Sequence, residues 1–557
     1  MASKQNISIL GSLKKFFAIL SLDKTDISAI YVLAILAGLV QLSLPLGIQT
    51  IISFVMAGSV STSIVVLITL VVIGTFIYGL LQIRQMQVIE RVEQKLFMRY
   101  SLEFTDRLPK LNMEKMDGYH LPEVVNRFFE TILLQKGLEK LLLDLPTALI
   151  QVLLGIILLA LYHPVFIGFG AVLLITIIGI IRFTSLEGLS AAMKVSDYKY
   201  GMMNWLQEIA RVIKPFKYAK ETQLHIEKSD KILGGYLDSR TSYFKVLLTQ
   251  YWSLVVFKIL ITAGMLIMGV VLLVDQQINI GQFIATDIVI LTIIGSVEKF
   301  VVNLDKVYDA LVSIEKLNKI TEAAVEESGT LLLSDKQAGV QIELKQVSYA
   351  YPNQVAVLNN ISCKINQGSI VHLQGGSGEG KGTLLRLLSG AYKEFTGNIL
   401  VDEIPIGNYH LQSLRSRTGI LLQYNEVFDG TFLENITMCN KSVAMEEITT
   451  LAKLTGLDEY MASLTQGYDT YINAQGKKLP NKVRVNIALI RALIGNHRLL
   501  LLENPFSHLT ETQAVNLLQY IKKQKKATVI ISSPDKTLPI PPDLRLVLQN
   551  RRLFIEG

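Results

Sequence analysis

The chain has 557 residues, which is too long for one ordinary domain and predicts two or three domains. Half of the residues are hydrophobic and 18% are charged; a soluble protein of this size needs less apolar material, so the composition favours a membrane protein. The two cysteines, Cys363 and Cys439, exclude a disulfide scaffold and a zinc site and are predicted to be small core residues. The net charge of +7 fits the basic inner face of a membrane protein better than nucleic-acid binding.

Six apolar runs are predicted to be membrane helices, because each has about 18 to 25 residues and a hydrocarbon core is about 30 Å thick. The runs are 28–52, 64–83, 141–161, 164–181, 252–274 and 279–297. The N-terminal polar stretch is long and no small-residue cleavage site closes the first run, so we expect no cleaved signal peptide.

Lysine and arginine alternate along the connections between these runs. The N-terminal head and the segments 84–140 and 182–250 are basic, whereas the turns 53–63, 162–164 and 275–281 contain neither residue type. Because cytoplasmic loops carry the positive charge, both termini and the two long loops are predicted to be cytoplasmic, with the chain in the inner membrane of the cell. The long loops are predicted to continue the membrane helices into the cytoplasm as helical extensions.

Two charged residues fall inside the apolar runs. Lys258 lies early in the fifth run and Asp287 lies in the sixth. A charge inside a membrane is costly and is a functional candidate by default, so both residues are candidates for a transport path. In the alternative interpretation, Lys258 extends to the inner interface and Asp287 lies near the outer end of its helix. Their different depths predict that they do not pair directly.

The composition changes at about residue 341. The segment 340–352 alternates apolar and polar residues as a β-strand does, and the predicted strand 369–374 runs into "GGSGEGKGT", residues 375–383. A predicted helix, 384–390, follows this glycine-rich loop. A strand, a glycine-rich loop and a helix in this order indicate a phosphate-binding loop, in which backbone N–H groups and the helix N-terminus cradle a phosphate.

Several stretches, in a fixed order, resemble the motifs of ABC transporters. They are the adenine-stacking segment "VSYAYP", the Walker A loop "GGSGEGKGT", the Q-loop segment 414–436, the approach to the signature motif 467–479, and the Walker B strand with its D-loop in 485–509. The chain resembles an ABC transporter half-unit of the exporter type, similar to bacterial type I secretion and multidrug exporters. The resemblance implies an α + α/β fold: a six-helix transmembrane domain, 1–320, a linker, 321–340, and a P-loop, RecA-like ABC nucleotide-binding domain, 341–557.

The resemblance also implies a set of nucleotide-binding residues. They are Tyr351, Gly375, Gly378, Gly380, Lys381, Gly382, Thr383 and Gln423. Tyr351 occupies the adenine-stacking position, while Gln423 and Glu503 occupy positions through which a metal ion would be held. No catalytic residue is assigned, because the family's catalytic positions fall on Glu503, Asn504 and Pro534.

The departures from the family pattern fall on the chemistry of phosphate transfer. Gly382 stands where a Ser or Thr hydroxyl would bind magnesium, and the side chain of Thr383 leaves the helix about 100° away. Walker B ends in Glu503 and Asn504, and the amide of Asn504 cannot accept a proton as the family's carboxylate does.

Further departures lie in the signature, the D-loop and the switch position. The signature reads "LPNKV", 479–483, in place of LSGGQ, so Pro480 replaces a serine that would bond the γ-phosphate and also removes a backbone N–H. Thr510 holds the position of the D-loop aspartate, and Pro534 holds that of the switch histidine. These losses predict weak ATP binding, little or no hydrolysis, and a poor site for Mg²⁺.

Three functions remain open at this point. The first is an ABC-type export subunit whose ATP-binding domain does not hydrolyse ATP. The second is a membrane scaffold or regulator that senses nucleotide, and the third is a slow but genuine ATP-driven exporter. The resemblance implies a lipid bilayer and a dimer as partners, either a homodimer or a heterodimer with a second half-unit. A periplasmic adaptor protein is a further partner of the secretion type, and nucleic acid is not a partner.

Overall fold

The computed structural model describes residues 9–58, 62–116, 121–219, 222–335, 338–352, 354–422, 426–473, 476–534 and 537–556. The chain folds into two compact units that divide between Ala324 and Val325, and the helix Met113–Met116 is grouped with the second unit. The helices before this division are α1 (Ile9–Leu20), α2 (Lys24–Gln41), α3 (Ser43–Met56), α4 (Thr62–Arg107), α5 (Met113–Met116), α6 (Leu121–Asn126), α7 (Glu130–Glu139), α8 (Leu145–Tyr162), α9 (Val165–Arg211), α10 (Ile213–Tyr218), α11 (Leu224–Val274), α12 (Ile280–Val302) and α13 (Leu304–Thr321).

The predicted apolar runs coincide with helices of the first unit. Within the described residues, five spans are long and apolar enough to cross a membrane, namely Lys24–Met56, Thr62–Lys110, Val124–Tyr162, Leu224–Val274 and Ile280–Thr321. The fourth predicted run, 164–181, forms the start of α9, where the apolar helix Val165–Gly179 is shorter than the others. Helices α4, α9 and α11 have 46, 47 and 51 residues, so each is about 70 Å long or more and extends well beyond a hydrocarbon core.

The first predicted run, 28–52, is not one helix. Helix α2 ends at Gln41 and α3 begins at Ser43, with Pro45 in the first turn of α3. Proline has no N–H to donate to the carbonyl of Gln41, and its ring clashes with that carbonyl, so the helix breaks at this point.

Outside the apolar runs, α4, α7, α9 and α13 enclose a hydrophobic core of the first unit. Leu134, Leu138 and Ile314 are almost completely buried in it. Glu130 is also buried there, and its carboxylate accepts hydrogen bonds from the hydroxyls of Tyr200 (2.6 Å) and Ser313 (2.5 Å). These bonds compensate the loss of hydration of a buried carboxylate.

The described residues of the second unit form three sheets. Its strands are β1 (Ile342–Tyr349), β2 (Leu358–Ile365), β3 (Ile370–Gln374), β4 (Thr396–Val401), β5 (Ile404–Pro405), β6 (Thr418–Leu421), β7 (Gly430–Thr431), β8 (Tyr471–Ile472), β9 (Leu499–Glu503), β10 (Thr528–Ser533), β11 (Leu544–Gln549) and β12 (Arg552–Glu556). The largest sheet has the order β12-β11-β3-β10-β9-β6, in which only the β11–β12 pair is antiparallel. A four-stranded antiparallel sheet has the order β2-β1-β4-β5, and β7 pairs with β8.

Helices cover the parallel sheet of the second unit. They are α14 (Lys381–Leu388), α15 (Leu411–Ser416), α16 (Phe432–Thr437), α17 (Met445–Thr455), α18 (Leu457–Ala462), α19 (Asn481–Leu493) and α20 (Glu511–Tyr520). The strands of a parallel sheet that is covered on its faces are apolar throughout, and residues Leu499–Leu502 of β9 are accordingly all buried. The α + α/β fold predicted from the sequence is confirmed.

The prediction for the cysteines is half wrong. Cys363 is buried on β2, where burial raises the pKa of its thiol to about 12. Cys439 is exposed, just after α16, in a left-handed backbone conformation with φ 60°. It follows Met438, which ends α16 in the same conformation, so a turn and not core packing determines its position.

The helix α5 is attached to the second unit through a buried carboxylate. Glu114 is 7% exposed, and its Oε2 accepts hydrogen bonds from the backbone N–H groups of Lys393 (3.0 Å) and Glu394 (3.2 Å). A buried carboxylate with two donors is satisfied, so Glu114 holds this four-residue helix in place.

Candidate functional site

The residues predicted to handle phosphate come together at one edge of the parallel sheet. Strands β3, β9 and β10 are neighbours in the order β3-β10-β9, with Gln374 opposite Ser533 and Glu503 opposite Ser532. The carboxyl ends of parallel strands meet at one edge, which is where ligands bind in open α/β sheets. This edge of the sheet therefore brings together the glycine loop, Glu503 and the segment after Ser533.

The loop between β3 and α14 has the conformation that its glycines permit. Gly378 and Gly380 have φ angles of 84° and 99°, in a region that residues with a side chain rarely adopt. Gly380 immediately precedes α14, so the N-terminal N–H groups of this helix border the loop.

The side chain of Lys381 folds back onto this loop. Its Nζ donates to the carbonyl oxygens of Gly375 (2.6 Å) and Gly376 (2.7 Å). Burial lowers the pKa of the Lys381 amine below its usual value, against the opposing effect of the Glu503 and Glu379 carboxylates. The amine therefore lies at the phosphate loop, where the carbonyl oxygens of Gly375 and Gly376 accept the hydrogen bonds that water would otherwise accept.

A cavity of about 400 Å³ adjoins the loop. It is lined by Tyr351, Gln354, Val357, Ser377, Gly378, Gly380, Lys381, Gly382, Thr383, Arg386, Glu503, Asn504 and Pro534. The structure thus brings together most of the predicted binding and catalytic positions. Gln423 lies outside the described residues, and Gly375 lies beneath the loop, where an added Cβ would come within 2.6 Å of the carbonyl oxygen of Leu548.

Tyr351 and Thr383 contact each other at the side of this cavity. Their hydroxyl oxygens are 3.0 Å apart, and Thr383 is only 5% exposed. The ring of Tyr351 packs edge-on against Tyr349 and Tyr392, with centroid distances of 5.2 and 6.0 Å. The Thr383 hydroxyl therefore faces Tyr351, so it does not replace the hydroxyl that Gly382 lacks.

Asn504 follows β9 in a left-handed backbone conformation, with φ 50°. Its N–H donates to the carbonyl oxygen of Ser532 at 2.7 Å, which fixes the residue against β10. Its side-chain Oδ1 is buried and accepts no hydrogen bond from the described part of the chain. Asparagine tolerates this backbone conformation better than most residues, so the position suits an amide sterically. An amide at this point cannot act as a base.

A second cavity, of about 550 Å³, shares part of its lining with the first. Glu503, Asn504 and Pro534 line both cavities. The second also contains Asn481 and His508, whose side-chain nitrogens are 3.0 Å apart. Nothing in the sequence pattern singled out His508 or this cavity, because the pairing depends on how the start of α19 packs near the end of β9.

The segment "LPNKV" forms the start of α19. Pro480 precedes the first helical residue, Asn481, and contributes no side-chain cap. Serine is among the best N-cap residues, so proline here also lacks the side-chain oxygen that would satisfy a helix N–H. Thr510 is the N-cap of α20, and its Oγ1 accepts from the backbone N–H of Gln513.

The first unit, which contains the membrane-length helices, is called the membrane unit below. In it, Lys258 has an acidic partner that the sequence did not indicate. Its Nζ lies 2.7 Å from Oε2 of Glu298, one residue beyond the predicted end of the sixth run. Asp287 is half-buried on α12. The two predicted transport-path residues therefore lie on neighbouring helices, α11 and α12, and Lys258 pairs with Glu298.

Uncharged polar side chains form a second intramembrane cluster. Gln151 on α8 donates to the side-chain oxygen of Gln41 and to the Tyr78 hydroxyl (3.4 Å), and it accepts from the Ser296 hydroxyl at 2.7 Å. Gln82 donates to the same Tyr78 hydroxyl at 2.8 Å. The cluster contains no charged residue, so the charge pattern of the sequence does not indicate it, although polar residues that recur in apolar runs do.

These features define a membrane protein with a P-loop nucleotide unit. The ABC transporter transmembrane region family matches residues 27–297, and the ABC transporter family matches residues 358–507. The fold is similar to that of a bacterial Atm1-family ABC exporter solved with ATP bound, with a TM-score of 0.85 at 19% identity, covering 96% of this chain and 95% of that one. The chain belongs to the ABC transporter family, and it has the organisation of an exporter half-transporter with fused transmembrane and nucleotide-binding domains.

Curated relatives include proteins named for translocation, secretion or export. The chain is 30% identical over 330 residues to the alpha-hemolysin translocation ATP-binding protein HlyB of Escherichia coli O157:H7, covering 59% of this chain and 46% of that protein. It is 30% identical over 285 residues to the cyclolysin secretion/processing ATP-binding protein CyaB of Bordetella pertussis, covering 50% and 39%. The leukotoxin export ATP-binding protein LtxB of Aggregatibacter actinomycetemcomitans is 29% identical over 266 residues, covering 47% and 38%. The matched region spans less than half the length of these relatives.

Proposed function

We propose that this chain is an export subunit of the ABC type that binds ATP and hydrolyses it slowly or not at all. One observation carries the proposal: the cavity at the sheet edge keeps Lys381 on the phosphate loop but has Gly382 and Asn504 in its lining. Phosphoryl transfer depends on a positioned metal ion and a positioned nucleophile. The lysine supports binding, whereas the glycine and the amide supply neither a metal-binding hydroxyl nor a base.

The ABC transporter domain implies ATP as the ligand. Tyr351 is proposed to stack on the adenine and Lys381 to contact the phosphates, with Gly378, Gly380, Gly382 and Thr383 forming the loop around them. Gln423 is proposed to face the same ligand. A metal ion would find the carboxylate of Glu503 but no hydroxyl at position 382, so Mg²⁺ is held weakly.

Transport is proposed to pass through the membrane unit of a dimer. Three features of the first unit support this: the Lys258–Glu298 pair, the polar cluster around Gln151, and the half-buried Asp287. Ionisable residues inside membrane segments commonly mark a substrate path. The relatives are named for the translocation, secretion or export of toxins, which supports export as the direction. A second half-unit, of the same or another chain, completes the dimer, and a periplasmic adaptor is a further partner.

The distribution of lysine and arginine supports an inner-membrane location with both termini in the cytoplasm. Basic segments alternate with turns that lack both residue types. Under this orientation the nucleotide unit is cytoplasmic, where ATP is available.

The test measures ATP binding and phosphate release together on the full chain in lipid nanodiscs. We expect binding without measurable release, and about tenfold weaker binding for Lys381→Ala because a phosphate loses its cationic partner. Lys364→Ala is the matched control, since Lys364 is exposed on β2 and away from the cavity. The control is expected to bind ATP as the native chain does.

Each outcome separates the functions that the sequence left open. Vanadate-sensitive phosphate release that disappears in Lys381→Ala would contradict the proposal and identify a genuine ATP-driven exporter. An absence of ATP binding would contradict the nucleotide part of the proposal. Binding that is unaffected by Lys381→Ala would place the nucleotide elsewhere.

A further inference from the structure

The space beside Gly382 is flanked by two opposite charges. A Cβ atom added at Gly382 would lie 3.3 Å from Nη1 of Arg386 and 3.3 Å from Oε1 of Glu503. Arg386 is four residues after Gly382 on α14, so both project from the same face of the helix. A guanidinium and a carboxylate therefore converge on the point from which a metal-binding hydroxyl would project in an ordinary phosphate loop.

The residues around this point do not fit a magnesium ion. Mg²⁺ requires oxygen ligands in a near-ideal octahedron at about 2.0–2.1 Å. Gly382 supplies no oxygen from a side chain, and the Thr383 hydroxyl faces Tyr351. A guanidinium at the same place repels a divalent cation.

We propose that Arg386 takes the place of the magnesium ion, so that this site binds a nucleoside polyphosphate in its metal-free form. This inference rests on the proposed function, in which the cavity binds ATP. Arginine is charged at every physiological pH and presents several N–H groups that match the oxygens of a phosphate. Lys381 supplies a second positive charge at the loop.

Glu503 explains why a cation is needed at this point. Its carboxylate lines the same cavity as Lys381 and Arg386, so without a neighbouring cation it would repel the phosphates. A metal ion bound with the nucleotide would neutralise part of this negative charge. In the proposed complex the guanidinium of Arg386 balances part of the charge of the Glu503 carboxylate and part of the charge of the phosphate.

The experiment compares ATP binding by the full chain in nanodiscs in excess EDTA and in excess MgCl₂. We expect the two affinities to agree within about twofold, or the metal-free affinity to be higher. An affinity more than about twofold higher with MgCl₂ would overturn the inference. In that case ATP binds as it does at an ordinary phosphate loop, and the proposed function still stands.

Three variants test the roles of the residues. Arg386→Gln is expected to weaken metal-free ATP binding about tenfold, because the phosphate loses its charged partner. Gly382→Ser is expected to create a magnesium dependence, since it restores the hydroxyl and meets only the flexible ends of two side chains. Glu503→Gln is expected to strengthen metal-free binding, a gain that misfolding cannot produce.

Arg552→Gln is the matched control, since Arg552 is an exposed arginine on β12. It is expected to leave both affinities unchanged. Equal affinities of the native chain and Arg386→Gln in EDTA would overturn the role of Arg386. An absence of ATP binding in both EDTA and MgCl₂ would overturn this inference together with the nucleotide part of the proposed function.

Discussion

The two units differ in how their polar residues are satisfied. In the membrane unit, Lys258 and Gln151 lie in apolar helices and find partners on other helices of the same unit. In the nucleotide unit, Glu503, Asn504 and Pro534 line two cavities. Lipid offers no hydrogen bonds, so a polar group in a membrane helix needs a protein partner, whereas a cavity open to water does not impose this requirement.

This difference shows where the sequence is free to change. Replacing one member of an intramembrane pair leaves the other without a partner, so both are constrained together. At the sheet edge, Gly382 and Asn504 occupy positions where the resemblance predicts a hydroxyl and a carboxylate, and the neighbouring strands pair there in regular register. The regular pairing of these strands therefore needs neither a hydroxyl at position 382 nor a carboxylate at position 504.

The largest effect is expected for the ion pair in the membrane unit. Glu298→Ala leaves the ammonium of Lys258 without its partner, and we expect the free energy of unfolding to fall by about 2–3 kcal/mol. The double variant, Lys258→Met with Glu298→Met, is expected to recover most of this loss because no charge remains unpaired. The free energy of unfolding of the native chain, the single variant and the double variant is measured by denaturant unfolding in detergent micelles.

The matched control for this pair is exposed to water. Lys110 and Asp106 form an exposed ion pair of the same unit, with 60% and 70% of their side chains accessible. Asp106→Ala is expected to cost no more than about 0.5 kcal/mol, since water replaces the lost partner. If Glu298→Ala lowers the free energy of unfolding no more than Asp106→Ala does, the proposed contrast between the membrane helices and the water-exposed surface is wrong.

An intermediate effect is expected at Gln151. Gln151→Leu keeps the size of the side chain but removes the partner of the Ser296 hydroxyl and of Gln41, and we expect a loss of about 1–2 kcal/mol. The control is Gln94→Leu, because Gln94 is exposed on α4 and, among the described residues, donates only to Glu90 one turn away. Equal unfolding free energies for the two variants would show that the cluster does not stabilise the unit.

The fold could be predicted because it rests on patterns that are local in sequence. Apolar runs of membrane length predicted the helices, and the order of the ABC motifs predicted the nucleotide unit. The break between Gln41 and Ser43 was missed although Pro45 signals it. The partner of Lys258 was missed because Glu298 lies just beyond the predicted run. Counted from the turn between α11 and α12, Lys258 lies about 24 Å along one helix and Glu298 about 27 Å along the other.

The candidate site was only partly predictable. The positions of Gly382, Glu503 and Asn504 follow from motif spacing, so the sequence alone identifies them. The approach of Arg386 to Glu503 depends on the distance between α14 and the end of β9, which no motif encodes. The contact between Asn481 and His508 likewise joins residues far apart in sequence.

The smallest effect is expected for the hydroxyl pair beside the phosphate loop. Tyr351→Phe removes the hydroxyl that lies 3.0 Å from that of Thr383 but keeps the ring against Tyr349 and Tyr392. We expect a loss of about 0.5–1 kcal/mol in unfolding free energy, less than at Gln151, because the pair borders a cavity from which water can replace the lost bond. A double-mutant cycle with Thr383→Val measures the coupling. If Tyr351→Phe lowers the free energy of unfolding more than Gln151→Leu does, water does not reach this edge of the cavity. The contrast between the two units would then not hold at the candidate site.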